Sequence, residues 1–173
     1  MIFYPTLYEA SSARQVEWCA DAPTGLSYFG NELGGEAGEV LELVFSPSTT
    51  TFITELADEL GDVVICTINV AIAAGITVSR PAVFDGYSLA LEAFLDLGSR
   101  VGKALNNIKK LDRERLGMVG SRTTPEEVRL NLSMVLGAAY HLANLHGIDL
   151  EAATRAKFNK TSSKYGLQTM VLH

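Results

Sequence analysis

Four carboxylates stand out by type and spacing: Glu36 and Glu39, then Glu59 and Asp62. Each pair is three residues apart, which on a helix sets both side chains on one face. Glu55 and Asp58 extend the second pair into an i, i+3, i+4, i+7 row. Leu56, Leu60, Val63, Thr67 and Val70 form the complementary stripe that would face a core. Two antiparallel neighbouring helices carrying these pairs bring four like charges together. Such charges repel strongly unless a cation sits between them. Oxygen-only ligands of this sort suit Mg²⁺ or Mn²⁺.

Acids at helical spacing are more often only a solvated face. Three features weigh toward a site. Gly34, Gly35, Gly38 and Gly61 surround the acids, although glycine inside a helix costs about 1 kcal/mol against alanine. The acidic row leads straight into the almost wholly apolar stretch 63–76. The two pairs also occur in order, with nineteen residues between Glu39 and Glu59.

Apolar residues recur at helical spacing along nearly the whole chain, so the expected fold is all-α, a bundle of about six helices in one domain. The expected helices span 6–20, 25–45, 51–74, 86–111, 125–146 and 150–165. Ser46-Pro47-Ser48 and Ser79-Arg80-Pro81 mark breaks, while Gly75, Gly147 and Gly166 mark helix ends. Thr124-Pro125-Glu126-Glu127 reads as a helix start, with a capping residue, proline in the first turn and early acids.

A degenerate internal repeat runs through this pattern. Leu33-Gly-Gly-Glu-Ala-Gly-Glu-Val-Leu aligns with Leu97-Gly-Ser-Arg-Val-Gly-Lys-Ala-Leu, and the stretch 62–76 aligns with 134–148, each ending in Gly-Ile. Glu36 falls opposite Arg100, Glu39 opposite Lys103, Glu59 opposite Asn131 and Asp62 opposite Met134. The division is therefore an acidic metal-binding half, 1–80, and a degenerate basic half, 81–173.

Composition bounds the function. The chain has 173 residues, 47% hydrophobic and 20% charged, which suits an ordinary globular domain. Its net charge of −6 is unevenly spread: residues 1–62 hold eleven acids and one base, Arg14, while 63–173 hold nine acids and thirteen bases. That asymmetry favours a metal-plus-polyphosphate site over a nucleic-acid surface, which would want a broad basic face. The longest apolar run is too short for a bilayer, which takes about 20 residues, so no membrane partner is expected. The N-terminus shows no signal-peptide pattern, and Cys19 and Cys66 lie in apolar helix-like stretches. Free buried thiols in a reducing cytoplasm are the expectation. There is no phosphate loop of the G-x-x-x-x-G-K-[ST] type and no histidine before His141. No E-x-x-H occurs either, which disfavours a di-iron bundle.

Glu36-Ala-Gly-Glu39 and Glu59-Leu-Gly-Asp62, within LGGEAGEVLELV and ELADELGDVVICTINVA, resemble the E-x-x-E and E-x-x-D motifs of the MazG-like all-α nucleotide pyrophosphohydrolases. That family includes the all-α dUTP and dCTP pyrophosphatases. The resemblance covers most of the chain: VGKALNNIKKLDRERLG is similar to a basic inter-helix segment of many members, and KFNKTSSKYG to their C-terminal basic helix. Gly35 stands where many members have a further Glu, and Cys66 where several have an aromatic residue near the nucleotide.

The resemblance implies a hydrolase that splits a nucleoside triphosphate between its α- and β-phosphates, giving the monophosphate and pyrophosphate. Mg²⁺, or Mn²⁺, would sit on Glu36, Glu39, Glu59 and Asp62. Glu55 or Asp58 could accept the proton of the attacking water. Lys109, Lys110 and Arg113 (with Arg115), and Lys157 and Lys160 (with Lys164), are the candidate phosphate contacts. Because the first half keeps the acids and the second the bases, a composite site is expected. Trp18 is the candidate for stacking on the base and Asn69 for reading its edge. The competing reading is a non-catalytic degenerate module that binds nucleotides or a protein partner. A homodimer is compatible with either reading.

Overall fold

The computed structural model describes residues 3–18, 25–45, 50–82 and 84–172. The loop Ser46-Pro47-Ser48 and Cys19 lie outside them. The apolar periodicity folds into α1 (Phe3–Trp18), α2 (Leu26–Glu42), α3 (Phe52–Ala74), α4 (Ala90–Arg115), α5 (Pro125–Leu145) and α6 (Leu150–Tyr165). A single 3₁₀ turn, Leu43–Phe45, follows α2. The described residues contain no strand, and none of their helices is long and apolar enough to cross a membrane.

The local start and stop signals act as their chemistry requires. The Thr124 hydroxyl accepts from Glu127 N (3.1 Å) while the Glu127 carboxylate accepts from Thr124 N (2.9 Å), a reciprocal capping box. Gly75 and Gly147 adopt left-handed φ of 74° and 68°, open to glycine at little cost. The next amide then folds back in each case, Ile76 to Ala71 O (3.0 Å) and Ile148 to Ala143 O (2.9 Å).

Helices α2, α3, α5 and α4 pack in a closed ring, with α1 and α6 laid against α3. α3 is therefore the central helix, and its stripe of Leu56, Leu60, Val63, Thr67 and Val70 is fully buried. A Cβ placed on Gly34 would lie 3.2 Å from Leu105 Cδ1, and one on Gly98 would lie 3.0 Å from Leu41 Cδ1. In the repeat alignment Gly34 matches Gly98 and Leu41 matches Leu105. The α2–α4 contact is thus reciprocal, as across a two-fold interface.

Helix α4 starts later and ends later than its periodicity suggests. Residues ahead of it are held across α5: Phe84 packs over Gly137, and His141 Nε2 lies 2.7 Å from Tyr87 O. Arg80 stacks on Tyr140, 4.6 Å from its centroid. At the far end Arg115 donates to Ala73 O (3.0 Å) and Ala74 O (3.2 Å), supplying donors to the terminal carbonyls of α3. That bond rewards the extra helical turn.

Gly61 sets the approach of α6. A Cβ there would stand 3.3 Å from Lys157 Cβ, 3.4 Å from Ala153 O and 3.4 Å from Thr154 Cα. Gly61→Val should prise α6 from α3 and cost about 1–3 kcal/mol, read as a lower urea midpoint. An unchanged midpoint would mean the two helices are not in contact there.

Candidate metal centre

The two acidic pairs meet where α2 crosses α3. One carboxylate oxygen from each of Glu36, Glu59 and Asp62 lies within 4.8 Å of the other two. Glu39, one turn along α2, is exposed and sits beside Glu59 at the rim of the same cavity. The antiparallel run of α2 and α3 explains the pairing, Glu36 with Asp62 and Glu39 with Glu59. Glu55 is exposed and Asp58 half-buried, and neither lines the cavity.

The acids are held at real electrostatic cost. Burial, together with Asp62, Glu39 and Glu59, pushes Glu36 up to about 7, with Lys157 opposing. Burial also raises Glu59 and Asp62, against the pull of Lys157 on both. Glu59 Oε2 is buried and, among the described residues, has no hydrogen-bond partner. A buried carboxylate oxygen left so is costly unless a cation or donor reaches it. The donor set is all oxygen, at a separation one hard divalent ion can bridge. On these observations the residues fit such an ion.

The cavity beside the triad holds about 480 Å³, within the usual range for small-molecule sites. Its opposite wall is aromatic and amide in character. Trp18 of α1 meets Tyr165 of α6 edge-on at 5.2 Å, and Tyr28 flanks them. Gln15 Nε2 donates to Asn69 Oδ1 at 3.1 Å, which orients the Asn69 amide. Arg14 is buried and lines the same cavity. It donates to Phe158 O (3.1 Å) with its guanidinium 3.5 Å from the Phe158 centroid, and burial lowers its pKa to about 10. Cys66, a buried free thiol raised well above its usual range by burial, completes the floor.

The basic residues divide. Lys157 lines the cavity and pairs with Asp62 at 2.8 Å and Asp58 at 3.9 Å. Lys164, one helical face along α6, also lines it. Lys160 turns away and pairs with Asp58 at 2.7 Å. Lys109, Lys110 and Arg113 do not line this cavity. Leu105 and Ile108 are the residues α4 turns to α2, and Arg113 donates to Ser121 (3.3 Å) in the turn beyond α4.

Arg14, the lone base of residues 1–62, has no role that its local sequence reveals, and neither have Gln15, Thr161 and Tyr165, which also line the cavity. The spacing of Arg14, Gln15 and Trp18 on one helical face was the available signal. Of the four glycines around the acids, Gly34 and Gly61 face neighbouring helices, whereas a Cβ on Gly35 or Gly38 would meet open space. The chain matches no protein-family model, no curated protein and no solved structure.

A carboxyl whose pKa is raised by folding contributes stability that is complete below its unfolded value and lost as pH rises through the folded one. For Glu36 that window runs from 4.5 to about 7. Metal-free protein should therefore melt lower at pH 8 than at pH 5.5, by a few degrees. Mg²⁺ should restore the loss at pH 8, and Glu36→Gln should weaken both effects, leaving the smaller share due to Glu59 and Asp62. A melting temperature flat in pH and indifferent to Mg²⁺ would show that these acids are merely solvated.

Proposed function

We propose that the chain is a Mg²⁺-dependent nucleoside triphosphate pyrophosphohydrolase of the MazG-like all-α kind, cleaving between the α- and β-phosphates. The observation that carries this reading is the convergence of Glu36, Glu59 and Asp62 at one end of a cavity whose far wall is aromatic and amide. That is the layout a nucleotide requires, with anionic phosphates at one end and a flat base at the other. The motif resemblance adds the reaction class.

Glu36, Glu59 and Asp62 would hold the ion, with Glu39 completing the set at the rim. Bound Mg²⁺ would supply neutralisation of phosphate charge and activation of the attacking water. Lys157 faces the polyphosphate from α6 with Thr161 on the same helical face, while Lys164 stands over the Tyr165 ring, 5.1 Å from its centroid. Glu39, open to solvent, would accept the proton of the attacking water. Trp18 and Tyr28 receive the face of the base, while Asn69, steadied by Gln15, meets its edge. Arg14 lies close enough to Asp62 and Cys66 to be felt by both, and balances part of the acidic charge from below.

The test is product analysis over a panel of ribo- and deoxyribonucleoside triphosphates, with Mg²⁺ or with EDTA. Monophosphate and pyrophosphate should form only with metal. Asp62→Ala should lower turnover by roughly 10²–10³-fold while the circular dichroism of the helices is kept. Full activity in that folded variant would overturn the assignment. A folded wild-type protein that turned over no triphosphate would favour the non-catalytic module.

A further inference from the structure

We propose that Lys157 is a built-in counter-ion: without metal its ammonium stands at Asp62, and an arriving divalent ion displaces it toward the polyphosphate. This rests on the metal-centre reading above and adds to it an order of events and a coupling between two ligands.

The geometry begins with Gly61. Because no side chain intervenes there, the Lys157 stem lies against the backbone of α3, with its Cβ 3.3 Å from where residue 61 would carry one. From that anchor Nζ reaches Asp62 Oδ2 at 2.8 Å and Asp58 Oδ2 at 3.9 Å, with only 16% of the side chain exposed. Burial works to lower its pKa, but the hydrogen bond and charge of Asp62, then Glu59 and Asp58, outweigh it. A lysine ammonium is charged near neutral pH, and this one is already inside the cavity.

Asp62 is also one of the three acids whose oxygens converge. An ammonium and a divalent cation cannot share that carboxylate closely, since their repulsion grows steeply at ångström separations. Lys160 makes the exchange feasible. It holds Asp58 independently at 2.7 Å from a more exposed position, so Asp58 keeps a partner when Lys157 departs. The freed ammonium has the cavity in front of it, where Lys164 and Thr161 lie on the same helical face. Metal and polyphosphate would then favour each other's binding, because the metal releases the cation that the phosphates use.

The first measurement is Mn²⁺ binding to the full chain without nucleotide, by paramagnetic resonance of the free ion. Lys157→Met should bind Mn²⁺ on the order of tenfold more tightly than wild type, because a competing positive charge is gone. Lys160→Met removes the same charge beside Asp58, outside the converging oxygens, and should change affinity far less. The second measurement leaves the chain intact, so it does not depend on a variant folding. Amine acylation of wild type, read by mass spectrometry, should label Lys157 weakly in the metal-free protein and strongly with Mn²⁺. Labelling should be weak again once inorganic triphosphate is added to the Mn²⁺ form, while Lys160 stays nearly constant. If Mn²⁺ does not bind wild type at all, the metal centre itself is wrong. If Mn²⁺ binds but Lys157 labelling does not change, or Lys157→Met binds no more tightly than Lys160→Met, the displacement is overturned and the metal centre stands.

Discussion

Mutual repulsion among carboxylates gathered between α2 and α3 is the constraint on which the rest of this molecule turns. Two unit charges 4 Å apart repel by about 4 kcal/mol at an effective permittivity near 20, and here three oxygens lie within 4.8 Å with a fourth acid at the rim. A domain is stable by only about 5–15 kcal/mol in all. The cluster therefore needs cations, and it has Lys157 at hydrogen-bond distance and Arg14 near enough to act on Asp62. Its position follows from the same balance: α3 must be central enough to lock the acids in place by its buried stripe, yet its acidic row must open on a cavity.

The local grammar of the helices was legible in the residues. The capping box at Thr124, the left-handed glycines at 75, 147 and 166, and the buried stripe of α3 all follow from elementary preferences. Helix α4 departs from its expected limits for reasons that are tertiary. Phe84 and Tyr87 bind α5 and so delay its start, whereas Arg115 finds the carbonyl end of α3 and so extends it. No window of sequence contains both partners of such contacts. At the candidate site the acids could be found because two of them share each helix and their spacing is local. On the aromatic and amide wall Trp18 and Asn69 could be named, but their partners could not, since Gln15 meets Asn69 across 54 positions and Trp18 meets Tyr165 from opposite ends of the chain.

The two basic clusters make the same point. Both have the charge and the spacing for polyphosphate, and nothing local separates them. Packing does. α6 lies on α3 because Gly61 admits it, so its lysines reach the acids. α4 turns Leu105 and Ile108 to α2, so Lys109 and Lys110 do not join the cavity.

The reciprocal contact of Gly34 with Leu105 and Gly98 with Leu41 relates α2 and α3 to α4 and α5 by an approximate two-fold. On α3, the outer layer is α6 with Lys157. On α5, the corresponding cover is the extended segment carrying Pro81 and Phe84, pressed on Gly137. Where α2 has Glu36, α4 has Arg100, which binds Asp96 at 3.1 Å and stands 5.6 Å from the Phe84 centroid. Where α3 has Asp62, α5 has Met134. With a guanidinium at this crossing the repulsion among carboxylates is absent, and an aromatic ring stands beside it. Among the described residues the cavity takes its acids from 1–80 and its lysines, Lys157 and Lys164, from 81–173.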